Sequence, residues 1–375
     1  MTGNNQTQLL DAVVVGAGAA GVGISVALLH AGIDNFWTLD RTAVGASFAA
    51  WPEETRFITP SFPTNSIGML DLNSVAIGTS PAITLQAEHP TGKQYADYLT
   101  VVAQHFGLPI FQKAHVLEIT KVGDEFQLQT PGTVVRTKHL IWAAGEFQYP
   151  DMHRIGGKEN WRHTATVERY DDLEGDDFTV IGGYESGIDC AYHLASRGKR
   201  VRLFDKGCPW ESTTSDPSVA LSTYSMERMR DPRFVANVDL LPNTPIVSVG
   251  RDGGTYVIEA LDGYEYESET QPLFAGGFVG SHQMVADLFE RREDGFPLLS
   301  DNDESTITPG LFLCGPAVRH GEQSFCFIYK YRQRFAVVAK AIATALGRPA
   351  EQLEMYRMWG MYLDDLSCCG QECVC

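Results

Sequence analysis

The sequence predicts an α/β fold in which two doubly wound, Rossmann-like units each bind a dinucleotide. A glycine-rich turn between an apolar strand and a helix occurs twice, at residues 16–21 and 182–187. Each helix is followed by a second apolar strand that ends in an aspartate, Asp40 or Asp205. The 375 residues, of which 44% are hydrophobic and 20% charged, are enough for two domains with buried cores.

The first glycine turn has the full dinucleotide-binding fingerprint. An apolar strand at residues 11–15 leads into Gly16-x-Gly18-x-x-Gly21, and a helix follows to about His30. The three glycines allow, in order, a tight turn, close approach of a pyrophosphate and close packing of the helix on the strand. The helix N-terminus offers free N–H groups to the phosphates. The predicted binding residues are Gly16, Gly18, Ala19, Ala20, Gly21, Asp40 and Arg41.

The second glycine turn repeats this pattern with one departure. A strand at residues 178–181 precedes the turn, and a helix and a strand at residues 201–204 follow it. Tyr184 occupies the middle glycine position, where it predicts a less close approach of the phosphates. The two units imply two dinucleotides, or one dinucleotide and a unit without a ligand. The predicted binding residues are Gly182, Gly183, Glu185, Ser186, Gly187, Asp205 and Lys206.

The sequence leaves the choice between NADH and NADPH open. A carboxylate at Asp205 would accept a hydrogen bond from a ribose 2′-hydroxyl, which favours NADH. Lys206, Arg200 and Arg202 lie close by in sequence and would favour the 2′-phosphate of NADPH.

Three further segments resemble parts of flavoproteins that carry two dinucleotide-binding domains. Residues 140–145, LIWAAG, resemble the "ATG" segment that leads out of the flavin domain. Residues 309–315, PGLFLCG, resemble the strand that meets the ribityl chain, although Pro316 replaces the usual aspartate. Residues 330–333, KYRQ, are similar to the helix start that faces the flavin pyrimidine in small thioredoxin reductases. Residues 51–107 are most similar to the bacillithiol-disulfide-reductase type.

This resemblance, over residues 10–347, implies the domain order and the cofactors. FAD would occupy a discontinuous first domain, residues 1–148 and 292–347, and NADPH or NADH an inserted domain, residues 149–291. A helix and a cysteine-rich tail, residues 348–375, would follow. The resemblance adds to the flavin site Gly145, Gly315, Tyr331, Arg332 and Gln333.

The chain lacks the cysteines that relatives use beside the flavin. Small thioredoxin reductases have a C-x-x-C pair before the second glycine turn, where this chain has residues 163–166, HTAT. The bacillithiol-disulfide-reductase type has a cysteine at the position of Ala20. The internal thiols are expected to be small buried hydrophobes, and Cys326 lies in an apolar run whose neighbours could face the flavin. They are Cys190, Cys208, Cys314 and Cys326.

Half of the 8 cysteines instead lie in the last eight residues, CCGQECVC. A helix is predicted over residues 349–366, followed by a mobile tail. A thiol pair on such a tail could carry electrons from the flavin to an external disulfide, as on the C-terminal arms of mercuric reductases and large thioredoxin reductases. The tail could also bind a soft metal or oxidise incidentally. The predicted catalytic residues are Cys368, Cys369, Cys373 and Cys375.

Two other functions compete with the disulfide reductase. Trp161, Arg162, His163 and Tyr170 partly resemble the stretch before the NADP site of flavin-containing monooxygenases, which need no cysteine. A flavin fold with altered contacts could also be a redox-sensing binding module, with the tail as its switch, that does not catalyse turnover.

Charge and the chain start restrict partners and location. A formal net charge of -18 argues against a nucleic-acid partner. The start of the chain has no signal-peptide pattern, and the apolar stretch at residues 12–33 fits a strand-turn-helix better than a membrane span. We expect a cytoplasmic homodimer, without a membrane partner, that acts on a small disulfide or thiol, or on a small redox protein.

Overall fold

The computed structural model of the protein describes residues 8–64, 70–214 and 216–367. Its largest sheet has seven strands, in the order β3-β2-β1-β6-β5-β4 with β15 paired to β6. Strands β1, β2, β3, β6 and β15 are parallel, whereas β4 and β5 continue the sheet as an antiparallel meander. The bounds are β1 (Leu9–Val15), β2 (Phe36–Leu39), β3 (Ile110–Phe111), β4 (Glu118–Val122), β5 (Glu125–Gln129), β6 (Val134–Trp142) and β15 (Leu311–Leu313).

The centre of this sheet is apolar on both faces. Six of the seven residues of β1 are buried, because helices α1 (Ala19–His30) and α4 (Gly92–His105) and the core around α9 (Phe335–Ala345) cover the sheet. Helices α1 and α9 pack so closely that the Phe335 ring fills the space where a Cβ on Gly23 would stand. This packing fixes the helix whose N-terminus follows the first glycine turn.

A second sheet has five strands, all parallel, in the order β10-β9-β8-β14-β7. In sequence, all five lie between β6 and β15. Helix α5 (Glu185–Ser196) packs on this sheet around a separate core that includes Val180, Ile188 and Leu203. The bounds are β7 (Arg162–His163), β8 (Asp177–Ile181), β9 (Arg200–Phe204), β10 (Val238–Leu241) and β14 (Leu273–Phe274).

Shorter elements complete the described chain. The antiparallel sheet of β11 (Ile246–Asp252), β12 (Thr255–Ala260) and β13 (Glu265–Ser268) packs near the second sheet, and β16 (Arg319–His320) pairs with β17 (Gln323–Ser324). The other α-helices are α2 (Ala46–Ala49), α3 (Pro81–Leu85), α6 (Thr223–Met229), α7 (Pro232–Asn237), α8 (Ile328–Tyr331) and α10 (Met355–Met358). The 3₁₀-helices are Thr164–Thr166, Tyr170–Asp172, Pro209–Glu211, Ser281–Leu288, Arg332–Arg334 and Glu351–Glu354.

The predicted C-terminal helix over residues 349–366 is wrong in extent. The structure has only a 3₁₀-turn and the short α10 there, and helix ends at Met358. The helix stops there because Gly360 adopts a φ of 62° and the Met361 N–H donates back to the Tyr356 carbonyl at 2.9 Å. Beyond this cap, the Leu363 N–H donates to the Gln333 carbonyl at 3.0 Å. The segment still packs on the core, since Leu353, Tyr356 and Met361 are buried. The four tail cysteines lie outside the described residues.

A buried ion-pair network holds this C-terminal segment in place. Asp303, fully buried, accepts from the Arg334 guanidinium at 2.9 Å and from His320 Nε2 at 2.5 Å. Arg334 also donates to the carbonyls of Leu363 and Asp301. The segment before the tail is therefore fixed at the start of α9.

Throughout residues 8–64, 70–214 and 216–367, every helix is too short or too polar to cross a bilayer.

Candidate functional site

The first glycine turn lies at the carboxyl edge of the largest sheet, between β1 and α1. Gly16 has a φ of 106°, and a Cβ there would stand 2.5 Å from the carbonyl oxygen of Ala143. A Cβ on Gly21 would collide with the Gly16 carbonyl oxygen. These two positions therefore need glycine so that the turn, the helix and β6 can approach one another.

Gly18, in contrast, faces open space. It is the N-cap residue of α1, and a Cβ there would meet no described atom within 4 Å. The first intrahelical hydrogen bond runs from Val22 N to Gly18 O, at 2.9 Å. The N–H groups of the preceding helical residues, including Ala19 and Ala20, are therefore available at a helix N-terminus that favours anions. This open cradle fits a pyrophosphate.

The carboxylate of Asp40 fixes the turn from the end of β2. It accepts from the Ala17 N–H at 2.8 Å and from the Thr42 N–H at 2.7 Å. Each carboxylate oxygen keeps a lone pair that can accept from a ribose hydroxyl. The neighbouring Arg41 side chain is exposed.

Two glycines that are distant in sequence join the same crevice. Parallel pairing places Trp142 of β6 opposite both Val15 of β1 and Leu313 of β15, so the three strands end at one edge. Gly145 and Gly315 follow these ends. A Cβ on Gly315 would stand 3.3 Å from the Cβ of Ala20, which brings the last strand against the first glycine turn. Ligands bind in such crevices of parallel sheets.

The structure changes the expected roles of the segment at residues 330–333. The Arg332 Nη1 donates to the carbonyls of Asp71 and Ser74, so the side chain anchors a loop, and its buried Nε lacks a hydrogen-bond partner among the described residues. Gln333 donates to the Tyr329 carbonyl at 3.0 Å. Tyr331 is buried, and burial raises the pKa of its hydroxyl. Of the predicted residues here, Tyr331 and the Nε of Arg332 remain free to face a flavin.

The second glycine turn has the same backbone geometry as the first. Gly182 has a φ of 103°, and a Cβ there would stand 2.5 Å from the Ala275 carbonyl oxygen. A Cβ on Gly187 would collide with the Gly182 carbonyl oxygen. Asp205 accepts from the Gly183 N–H at 2.7 Å, as Asp40 does at the first turn. The second turn therefore repeats the backbone arrangement of the first.

The entrance to the second turn differs in its side chains. Tyr184, the N-cap residue of α5, has φ and ψ of -83° and -168°, close to the -80° and -165° of Gly18. Its Cβ therefore enters the space that Gly18 leaves open, and its hydroxyl donates to the Val219 carbonyl. The Glu185 carboxylate accepts from Ser225 Oγ at 2.5 Å, and burial raises its pKa. Both side chains tie the turn to the segment 219–225.

Of the three basic side chains near Asp205 in sequence, only Lys206 lies at the nucleotide edge. Arg200 pairs with Asp177 at 2.6 Å, at the amino end of both strands. Arg202 lies mid-strand and donates to the Glu267 carbonyl. The expectation that these two arginines could meet a 2′-phosphate is wrong, because parallel strands carry the ligand at their carboxyl ends. Lys206 is exposed beside Asp205.

The described cysteines are free thiols, and two of them are inaccessible. Cys190 and Cys314 are buried, and burial raises the pKa of both thiols. Burial, and then the charge of Glu211, raise the pKa of Cys208. Cys326 is partly exposed, and its Sγ donates to Ser218 Oγ at 3.3 Å. Cys326 therefore lies just before helix α8 and contacts, through Ser218, a loop that follows β9 of the second sheet.

Three polar residues that were not predicted from the sequence lie beside the crevice: Glu146, His282 and Arg319. Glu146 directly follows Gly145, and the Arg319 guanidinium lies 4.2 Å from the centre of the Phe296 ring. His282 stacks on the same ring, with centroids 5.3 Å apart. A carboxylate next to a glycine at the end of a parallel strand was a usable signal for Glu146. Nothing in the local sequence indicates that the other two lie nearby.

Comparison with known proteins gives partial and full-length similarities. The chain is 24% identical over 195 residues to an uncharacterized oxidoreductase, CzcO, of Bacillus velezensis. The matched region is 50% of this chain and 52% of the relative. It thus spans about half of that relative. It is 22% identical to the bacilliredoxin reductase Bdr of Bacillus subtilis over 342 residues, which cover 88% of this chain and 97% of the relative.

Solved structures share the fold. The bacillithiol disulfide reductase Bdr of Staphylococcus aureus superposes with a TM-score of 0.72 at 18% identity, over 90% of this chain and 99% of that one. A flavin-containing monooxygenase from Stenotrophomonas maltophilia has a TM-score of 0.71 at 15% identity, over 91% and 100%. Residues 13–315 match the family model described as pyridine nucleotide-disulphide oxidoreductase. The chain belongs to the pyridine nucleotide-disulphide oxidoreductase family.

Proposed function

We propose that the protein is an FAD-dependent disulfide reductase that takes electrons from NADPH or NADH. The observation that carries this proposal is the pair of glycine turns with matching geometry, one of them open in front of a helix N-terminus. In this proposal residues 1–148 and 292–347 form the FAD domain, residues 149–291 the NAD(P)H domain, and residues 348–375 the C-terminal segment. When bound, FAD accepts a hydride from NAD(P)H and passes two electrons to a disulfide.

The chain's own residues would bind and orient the two cofactors. The free N–H groups after Gly18 would hold the FAD pyrophosphate, and Asp40 would accept from its ribose. Gly145, Gly315 and Tyr331 would line the flavin, with the Nε of Arg332 as a further donor. At the second turn, Gly182, Gly183, Ser186 and Gly187 would hold the nicotinamide nucleotide. There the Glu185 carboxylate would position the turn through Ser225, and Asp205 or Lys206 would select the ribose.

The tail would take the place of the cysteine that this chain lacks at Ala20. Asp364 and Asp365 precede the tail, and the segment up to Ser367 is anchored through Leu363 to Arg334. Two of Cys368, Cys369, Cys373 and Cys375 would form the disulfide that is reduced at the flavin and then reduces a small disulfide or a redox protein. A homodimer would allow each tail to reach the partner's flavin.

An anaerobic titration with NADPH or NADH tests this function. The full-length holoprotein should take up more than two electrons per flavin, with new free thiols. A chain that ends at Leu366 should stop at two electrons. A full-length variant with all four tail cysteines changed to serine should behave like the shortened chain, which separates the loss of thiols from the loss of the segment.

The same titration also tests the second candidate, monooxygenation. The fold similarity to a flavin-containing monooxygenase and the absent cysteine at Ala20 favour this alternative. If the full-length protein and both variants stop at two electrons, and coenzyme oxidation in air needs an added small substrate, the reductase proposal fails. Monooxygenation then explains the protein better.

A further inference from the structure

The reduction of a disulfide at this site needs a proton source, and the structure offers one. Two thiols form from one disulfide when two electrons and two protons are added. NAD(P)H supplies a hydride, which contains both electrons and one proton. The second proton has to come from a group near the reacting sulfur, because a thiolate with an ordinary pKa is a poor leaving group when it departs without one.

The position of Glu146 is suited to this task. It directly follows Gly145, at the edge where β1, β6 and β15 end and where Gly315 approaches the first glycine turn. It is partly accessible in the described structure. The position that a Cβ on Gly280 would take lies 3.9 Å from the Glu146 Cβ and 2.8 Å from His282 Nδ1. Glu146 therefore belongs to the wall of the crevice.

The surroundings of Glu146 leave its carboxyl free to react. No described residue forms a hydrogen bond with the carboxyl group. Burial raises its pKa, and the charge of Arg319 acts in the opposite direction. The charged and titratable groups around it are Arg319, Tyr331 and His282, and the charge of Glu146 in turn raises the pKa of Tyr331. A carboxyl group with a raised pKa and no hydrogen-bond partner among the described residues is suited to take up and release a proton.

Arg319 is fixed in place beside this carboxyl. Its Nη1 donates to the carbonyl of Val318 at 2.8 Å and to that of Pro316 at 2.5 Å. Its guanidinium also lies over the Phe296 ring. Because the arginine is held on three sides, it can stabilise the carboxylate that remains after proton transfer without moving.

We propose that Glu146 is the general acid of the flavin site. It donates the second proton to the sulfur that leaves when the disulfide is reduced, and the carboxylate regains a proton from solvent. This inference rests on the proposed disulfide-reductase function. The overall change is one NAD(P)H, one proton and one disulfide to one NAD(P)⁺ and two thiols.

Rapid mixing of the holoenzyme with NADPH, under anaerobic conditions, tests the role of Glu146. Flavin bleaching and the appearance of free thiols are followed separately. In Glu146→Gln, bleaching should keep the wild-type rate, because hydride transfer does not use this proton. Thiol formation should fall about 100-fold or more, the usual contribution of a general acid. In the wild type the rate of thiol formation should decline as the pH rises, whereas in Glu146→Gln this decline should be absent. Glu146→Asp should recover part of the rate.

A matched control and a second measurement keep the test independent of folding and turnover. Glu322→Gln changes an exposed carboxylate between β16 and β17 and should leave both rates unchanged. Infrared spectra of the resting holoprotein should contain the carbonyl band of a protonated carboxyl in the wild type and in Glu322→Gln. The band should be absent in Glu146→Gln.

The outcomes distinguish the two proposals. If the wild type bleaches but forms no thiols, the reductase function fails and the role of Glu146 fails with it. If the wild type forms thiols and Glu146→Gln forms them equally fast, only the role of Glu146 is overturned. A wild-type spectrum that matches the Glu146→Gln spectrum in the carboxyl region overturns it as well.

Discussion

Beside the flavin crevice, burial shifts the pKa values of several side chains more than pairing does. Burial raises the pKa of Glu146 and of the Cys314 thiol. Burial, together with the charges of Arg319 and Arg291, lowers the pKa of His282 to about 4. The Nδ1 of His282 lacks a hydrogen-bond partner among the described residues. A neutral imidazole in this position avoids adding a second cation next to Arg319.

The stability of the protein should therefore depend on pH through His282. Its folded pKa of about 4 lies below the ordinary value of 6.5. The stabilisation is complete above pH 6.5 and is lost as the pH falls toward 4, because the unfolded chain binds the proton first. When the pH falls from 7.5 to 5, the free energy of unfolding, measured with urea, should decrease by about 2 kcal/mol less in His282→Gln than in the wild type.

An exposed histidine provides the control for this measurement. His153 lies on the surface, and His153→Gln should lose as much stability as the wild type over the same pH range. An equal loss in His282→Gln and the wild type would show that His282 is not held neutral by the fold.

Among the secondary-structure elements, α1 and α5 begin in nearly the same way but have different entrances. Their N-cap residues, Gly18 and Tyr184, have φ and ψ within a few degrees of each other. The difference lies in the side chain, which starts at the second turn where Gly18 leaves open space and is tied to Val219 by a hydrogen bond. We expect a pyrophosphate that approaches α5 closely to compete with this side chain.

Opening this entrance should strengthen coenzyme binding. In Tyr184→Gly, the backbone keeps a conformation that Gly18 already adopts, and the pyrophosphate no longer competes with the ring. We expect the Kd for NADPH or NADH, measured by calorimetry, to fall about tenfold, which corresponds to about 1.4 kcal/mol. Tyr184→Phe, which removes only the hydroxyl, should bind within about threefold of the wild type. Weaker binding by Tyr184→Gly would mean that the ring contacts the coenzyme instead.

At the scale of the whole molecule, buried polar contacts join the two sheet regions. Thr55, in the segment that follows α2, donates to Asp189 of α5 at 2.7 Å. Asp189 pairs with the buried Arg228 at 2.6 Å. Burial alone would raise the pKa of Asp189, but His193 and Arg228 lower it to about 2. Beside this network lies a cleft of about 580 Å³.

Removing the charge of Asp189 should destabilise the protein strongly. Asp189→Asn leaves the Arg228 guanidinium buried without its carboxylate, and breaking one partner of a buried pair costs about 3–5 kcal/mol. Denaturant unfolding measures this loss at pH 7. Asp171→Asn is the control, since its pair with Arg197 is half-exposed and solvent-screened, and its loss should destabilise the protein far less. Equal effects of the two variants would contradict a special role for the buried pair.

The sequence by itself determined the parts of the protein that depend on neighbouring residues. The glycine turns, the helix from residue 19 to His30 and the strand Phe36–Leu39 follow from local spacing, because backbone sterics and alternation act over a few residues. Residues 349–366 were misjudged because Gly360, with a φ of 62°, ends the helix, and the Leu363 N–H then bonds to Gln333, which is distant in sequence. The tail cysteines lie beyond the described residues, so their role remains a proposal.

Only the tertiary structure decided which distant side chains meet. It brings Gly315 against Ala20, directs Arg332 toward the loop at residues 71–74, and places Arg200 at the far end of its strand from the nucleotide edge. It also gathers Glu146, His282 and Arg319 around one crevice. The physical reason is that strand order and register, which set these distances, arise from the packing of the whole sheet and leave little trace in any short segment.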